Sequence, residues 1–217
     1  LIVNVNGINI NYEKYGTGEK SIIFLHGNGE TLDIYKDIPK HLKEYTIYML
    51  DTRSHGKSEE VKELYYEDMA EDVAAFLDRL KIQNPILFGF SDGGNSGLIL
   101  VGKYPNVLSK LIIAGANMYP SGMKNKFLIP IKLAYIFNKS PKVKLMATEP
   151  NIKKEFLRKI QVPVIVLAGS KDIVRESHTK KIARNIKNSK LEIIEGESHS
   201  SYILNNEKLY NVIKKYL

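Results

Sequence analysis

Short runs of almost unbroken apolar residues recur along this 217-residue chain, at 21–25, 45–50, 85–90, 108–114 and 163–168, with a shorter copy at 191–194. Runs of that length and purity suit strands buried on both faces of a parallel sheet. Two segments before them behave differently. Residues 2–6 and 8–15 alternate in polarity across Asn6-Gly7, the dipeptide that best marks a tight hairpin. Between the strand runs lie helical patterns at 32–42, 66–80, 95–103, 179–186 and 206–216. In the second of these, Met69, Val73, Phe76, Leu77 and Leu80 fall on one side. Strands alternating with helices predict an α/β fold: a mostly parallel, eight-stranded sheet flanked by helices.

One stretch departs from that rhythm. No strand pattern interrupts roughly 45 residues between 116 and 162, too long for an ordinary connection. It mixes Met118, Tyr119, Met123, Phe127, Leu128, Leu133 and Met146 with lysines. We read it as a small helical cap inserted into one domain, 1–217. The alternative is a surface helix pair packed on the sheet. The cap's methionines and aromatics fit either an acyl pocket or plain helix packing.

Bulk properties narrow the classes. Hydrophobic residues make up 43% and charged residues 26%, a balance sufficient for a core without staples. There is no cysteine, which removes disulfides, thiolate metal sites and a cysteine nucleophile. That composition suits a cytoplasmic setting. The net charge of +8 comes from lysines spread over the whole chain, without the concentrated face and interleaved aromatics of a nucleic-acid binder. No stretch reaches the roughly 18 apolar residues of a membrane span. The expected partners are therefore a small molecule and water, with no nucleic acid or membrane, for a monomer or homodimer. No His/Asp/Glu cluster has metal spacing and no Gly-rich loop would cradle a phosphate, so neither metal nor cofactor is expected.

The chemistry concentrates at Gly89-Phe90-Ser91-Asp92-Gly93-Gly94, directly after one buried strand and directly before a helix. Glycines two residues either side of a serine permit a turn sharp enough to lift its hydroxyl above the sheet. There the helix N-terminus favours a developing anion. A serine hydroxyl needs a base to become a nucleophile. His199 follows the last strand run and Asp172 the one before it, so the chain order is Ser, Asp, His. Asp172 would hold the imidazole in the productive tautomer. Two backbone N–H groups would stabilise the oxyanion, that of Asp92 and one from His26-Gly27-Asn28-Gly29, assigned to Asn28. Losing one such donor typically costs about 3–4 kcal/mol. His26 would also tie loops together. His41 and His178 read as surface residues, and His55 as a loop contact.

These pieces, with residues 51–58 (Asp-Thr-Arg-Ser-His-Gly-Lys-Ser), Lys103-Tyr104-Pro105 and Gly169-Ser170-Lys171-Asp172, resemble the α/β-hydrolase superfamily over nearly the whole chain. Ser54 stands where that superfamily more often has glycine. From Pro85 to Pro120 the sequence resembles more narrowly the valacyclovir-hydrolase (biphenyl-hydrolase-like) group, in which an aspartate follows the nucleophile. The resemblance implies a carboxylesterase-like serine hydrolase acting through an acyl-enzyme, with α-amino acid esters as preferred substrates. Asp92, Met118 and Tyr119 would then contact substrate. Asp92 has a second reading, as a carboxylate stabilising the first turn of its helix. A thioesterase, lactonase, C–C bond hydrolase or perhydrolase would need the same parts, and a non-catalytic ligand-binding member of the fold is the alternative from another class.

Overall fold

The computed structural model describes all residues, 1–217. Eight strands form one sheet in the order β1-β2-β4-β3-β5-β6-β7-β8. They are β1 (Ile2–Val5), β2 (Ile8–Tyr15), β3 (Lys20–Leu25), β4 (Tyr45–Leu50), β5 (Ile86–Phe90), β6 (Lys110–Ala114), β7 (Val164–Lys171) and β8 (Ser189–Ser198). β1 and β2 form the Asn-Gly hairpin, and β2 runs antiparallel to β4. Every pairing from β4 onward is parallel.

Alternation within the strands divides the core in two. Ile23, Leu25, Leu87, Leu111 and Ile113 face one side, under α1 (Tyr66–Arg79), α2 (Asp92–Lys103) and α6 (Glu176–Arg184). Ile22, Phe24, Phe88 and Ile112 face the other side, packed with Tyr35, Ile38, Leu209 and Ile213. The last two belong to α7 (Asn206–Ile213). Both faces being covered is why the central strands read as unbroken apolar runs.

Three elements differ from the sequence reading. The segment 32–42 is not one α-helix but two short 3-10 turns, Leu32–Tyr35 and Ile38–Lys40. Pro39 lacks an N–H and disfavours helical backbone at Ile38. Leu32, Tyr35, Ile38 and Leu42 are nevertheless buried, so the pattern reported the buried face correctly. β8 spans ten residues rather than four, because as an edge strand it carries exposed Lys190, Glu195 and Ser198 that mask its pattern. α2 starts at Asp92, three residues early, where Gly93 and Gly94 weaken any helix signal.

Residues 116–162 hold a 3-10 turn at Pro120–Gly122 and three helices: α3 (Asn125–Phe137), α4 (Pro141–Thr148) and α5 (Lys154–Leu157). The loop after β4 is internally bonded. Asp51 accepts from Leu32 N–H at 2.8 Å, Lys57 N–H at 2.9 Å and the Asn11 amide at 2.8 Å. Ser54 adopts φ +62°, a left-handed conformation favouring glycine, and its hydroxyl accepts from Val61 N–H at 2.9 Å. No helix is long and apolar enough to cross a membrane.

Candidate active site

Ser91 sits one residue beyond β5, near the middle of the sheet, at the N-cap of α2. Its backbone is strained, with φ 50° and ψ −110°. Such a conformation costs about 1–3 kcal/mol and persists when the surroundings over-determine it. Here they do. A Cβ at Gly89 would lie 2.3 Å from the Gly93 carbonyl oxygen, and one at Gly93 would lie 2.4 Å from the Leu25 carbonyl oxygen. The glycines are thus a packing requirement between strand and helix.

The carboxyl ends of β7 and β8 bring the other two side chains to this point. His199 Nε2 lies 3.1 Å from Ser91 Oγ, and His199 Nδ1 lies 2.7 Å from Asp172 Oδ1. A carboxylate only accepts, so Nδ1 carries the proton and Nε2 is free to accept from the serine hydroxyl. Asp172 is buried, and the same Oδ1 also accepts from Val174 N–H at 2.9 Å. Gly115, at φ +66°, passes so close that a Cβ there would be 2.6 Å from the imidazole Cε1. The Phe90 ring flanks the imidazole at 4.9 Å between centroids.

On the other side of Ser91 stands the loop after β3. His26 is buried; its Nδ1–H donates to Gly27 O at 2.8 Å, and its Nε2 accepts from Thr52 N–H at 3.1 Å. Burial pushes the His26 pKa down, which keeps it a neutral strut. Glu30 accepts from Gly27 N–H at 3.0 Å and closes the turn. The backbone N–H groups of Asn28 and Asp92 donate to no protein acceptor, while the Asn28 side chain donates to Asp92 Oδ2 at 2.8 Å. That bond holds the loop against the turn at Ser91.

Asp92 is a buried carboxylate with both oxygens engaged. Oδ2 takes the Asn28 amide and Oδ1 takes the Tyr66 hydroxyl at 2.6 Å. Burial raises its pKa, and these two donors pull in the opposite direction. Tyr66 opens α1, and in sequence its phenol reads simply as one more residue of a helical pattern. Nothing at that level marks it as a partner of Asp92.

A cavity of about 50 Å³ lies over Ser91, lined among others by Asp92, Asn117, Met123, Ile131, Met146 and Glu149. Glu149 is the second residue that sequence reasoning missed. It follows α4 immediately before Pro150, and its Oε2 accepts from Tyr66 N–H at 3.1 Å. Desolvation raises its pKa. A cleft of about 660 Å³ opens beyond it, between α1, α2 and residues 149–156. Two further amides fix the floor. Asn95 Oδ1 accepts from Asn117 N–H at 2.9 Å, and its amide donates to Asn117 Oδ1 at 3.1 Å.

Met118 and Tyr119, expected to contact substrate, lie elsewhere. Met118 is 1% exposed and belongs to the core beneath the sheet. Tyr119 packs edge-on against His178 at 4.6 Å, with its hydroxyl on Lys181. His178 is likewise not a surface residue: it is buried, and its Nε2 accepts from Met118 N–H at 2.9 Å. Burial and the nearby Lys181 and Arg175 lower its pKa to about 4. No group of three His, Asp or Glu side chains is placed to hold a metal ion.

Comparison with known proteins agrees with this architecture. Serine hydrolase BPHL of Homo sapiens is 26% identical over 93% of this chain and 80% of its own length. BPHL of Mus musculus is 24% identical over 99% of this chain and 85% of its own. The narrower resemblance to the biphenyl-hydrolase-like group is therefore borne out across nearly the full length. Among solved structures, the esterase EaEST from Exiguobacterium antarcticum superposes with a TM-score of 0.84 at 22% identity, covering 99% of this chain and 97% of that one. An enol-lactonase from Burkholderia xenovorans LB400 gives 0.83 at 17% identity, covering 99% and 98%. Residues 20–134 match the family described as alpha/beta hydrolase fold, and the chain is a hydrolase belonging to that family.

Proposed function

We propose that this hydrolase cleaves carboxylic esters of small substrates, α-amino acid esters among them, through a Ser91–His199–Asp172 triad and an acyl-enzyme. The observation that carries the reading is the continuous contact from Ser91 Oγ to His199 Nε2 at 3.1 Å and from His199 Nδ1 to Asp172 at 2.7 Å. Ser91 attacks the ester carbonyl while His199 takes its proton. The N–H groups of Asn28 and Asp92 receive the oxyanion. His199 then returns the proton to the leaving alcohol, and water, activated by the same imidazole, releases the acid.

The preference for an α-ammonium group draws support from two carboxylates over the serine. Asp92 lines the cavity but is already bonded twice. Glu149 lines it too, and its Oε1 has no partner within the protein. A cationic acyl group would meet both, in a partly desolvated space where charge-assisted contacts are strong. A space of about 50 Å³ is small beside the roughly 300–1,000 Å³ of ordinary ligand pockets. Substrates beyond the smallest acyl groups therefore require the cap to shift. A cytoplasmic setting, compatible with a chain that lacks cysteine, belongs to the same proposal.

The test is hydrolysis of p-nitrophenyl acetate and of a matched pair of neutral and α-amino esters, with Ser91→Ala as control. Turnover abolished by the substitution and skewed toward the amino ester supports both parts of the proposal. Turnover without skew leaves an esterase and removes the ammonium preference. Turnover surviving in Ser91→Ala removes the triad.

A further inference from the structure

The cap helix α3 reads Asn-Lys-Phe-Leu-Ile-Pro-Ile-Lys-Leu-Ala-Tyr-Ile-Phe, with Asn125, Lys126 and Lys132 set among otherwise mostly apolar residues. Its inner side is accounted for: Leu128 and Ile131 pack with Met123, Ile173 and Val174. Its outer side is not. Ile129 is 54% exposed, Leu133 53%, Ile136 59% and Phe137 87%. At 3.6 residues per turn these four fall within one arc of about 100°. A surface helix ordinarily turns its polar residues to water. Single exposed apolar side chains need no explanation, but a contiguous stripe of four large ones marks an interaction surface.

Charge says what covers it. No aspartate or glutamate occurs from Gly93 to Thr148. Over the cap part of that stretch stand Lys124, Lys126, Lys132, Lys139, Lys142 and Lys144. Lys144 is bound to Glu63, and the other five form no ion pair within the protein. Lys126 and Lys139 lay their ammonium groups over the rings of Phe127 and Tyr135, at 5.0 and 4.5 Å. Such side chains keep apolar stems on an apolar surface and a charged head at its rim. A second copy of this chain is disfavoured as the occupant, since cap against cap would face two acid-free sets of lysines. A surface that is apolar within and negative at its rim complements both features.

We propose that α3 docks this protein on anionic lipid bilayers, seating Ile129, Leu133, Ile136 and Phe137 below the headgroups with the cap lysines among the lipid phosphates. Binding of this kind scales with apolar area plus attraction to anionic lipid and needs no spanning segment. Docking of this kind departs from the sequence expectation of no membrane partner, which rested on the absence of a spanning stretch and did not weigh an exposed apolar stripe. The inner side of the same helix lines the cavity over Ser91 through Ile131, so the docking face and the cavity lie back to back.

The test is flotation of the full chain with vesicles of phosphatidylcholine alone, or mixed equally with phosphatidylglycerol. The native chain is expected to float with the mixed vesicles at low ionic strength and to lose most of that binding in high salt. Leu133→Glu/Phe137→Glu should lower partitioning at least about tenfold, since each carboxylate replaces buried apolar area and repels the anionic surface. Neither residue lines the cavity over Ser91, so the double variant should keep its far-UV circular dichroism and melting temperature. Lys126→Glu/Lys132→Glu, which leaves the apolar stripe intact, should also weaken binding to mixed vesicles. Failure of the native chain to float, or equal flotation of the folded variants, overturns the proposal. So does a cap-dependent dimer without flotation, which assigns the stripe to a second copy. Flotation is read without any turnover, so it stands or falls apart from the esterase reading.

Discussion

The phenol of Tyr66, at the start of α1, donates to the carboxylate of Asp92, at the start of α2, across 2.6 Å of protein interior. Two helix beginnings separate in sequence are thereby pinned beside Ser91. Tyr66→Phe removes the donor and leaves one oxygen of a buried carboxylate without a protein partner. The variant should lose about 1–3 kcal/mol of stability, as expected for an unsatisfied buried acceptor. Urea denaturation measures it, and a loss below a few tenths of a kcal/mol would show that the bond contributes little.

Asp92 and Glu149 should act on selectivity more than on rate. Asp92→Asn and Glu149→Gln are each expected to lower kcat/KM for an α-amino ester about tenfold or more, the range of a contact to a charged group, and to spare a matched neutral ester. Burial raises the Asp92 pKa, so the charge is lost on acidification earlier than from an ordinary carboxylate. The amino-ester preference should therefore fade as pH falls, starting above the usual aspartate range. Equal losses on both esters would sink the selectivity role.

His178 gives a pH dependence to stability. It is buried neutral, with a pKa of about 4 against 6.5 for an ordinary histidine. Between those values the unfolded chain binds a proton that the folded chain does not, so stability falls as pH drops. The contribution is fully present above about pH 6.5, and its loss is complete below about pH 4. His178→Gln should flatten the stability profile over that window, although His55, also lowered to about 4, keeps part of the slope. An unchanged profile in the variant would mean that His178 accepts a proton without unfolding.

Met146 and Ile131 close the cavity over Ser91 from the cap. Met146→Ala should admit bulkier acyl groups and raise kcat/KM for a branched-chain ester about tenfold relative to acetate, the range of one or two methylene-sized contacts. A uniform change across acyl sizes would place the size limit elsewhere.

How much of this was legible in the sequence depended on what kind of signal each residue leaves. The unbroken apolar runs gave the strands, and the glycines around Ser91 announced a turn whose crowding leaves room for no side chain. Positions on loops at consecutive strand ends brought Asp172 and His199 to one place, because a parallel sheet aligns those ends. The rest depended on contacts between segments remote in sequence. Tyr66 meets Asp92 through packing of α1 on α2, and Glu149 meets Tyr66 through packing of the cap on α1, contacts that no periodicity encodes. Met118, Tyr119 and His178 were misplaced for a related reason. For Met118 and Tyr119 the resemblance supplied only a neighbourhood, and for His178 neither its burial nor its bond from Met118 N–H leaves a mark in the sequence. Ser54 shows the converse: a serine in a glycine-favouring conformation is held there by a hydroxyl contact to Val61 N–H.

The most direct test of the catalytic centre is covalent labelling with a fluorophosphonate, followed by mass spectrometry of the native chain and of Ser91→Ala and His199→Ala. The expected result is one adduct on Ser91, absent in Ser91→Ala and slowed by orders of magnitude in His199→Ala, since the hydroxyl reacts only when the imidazole takes its proton. Labelling at another residue, or labelling of Ser91 at an undiminished rate without His199, would contradict a nucleophile activated across the 3.1 Å contact.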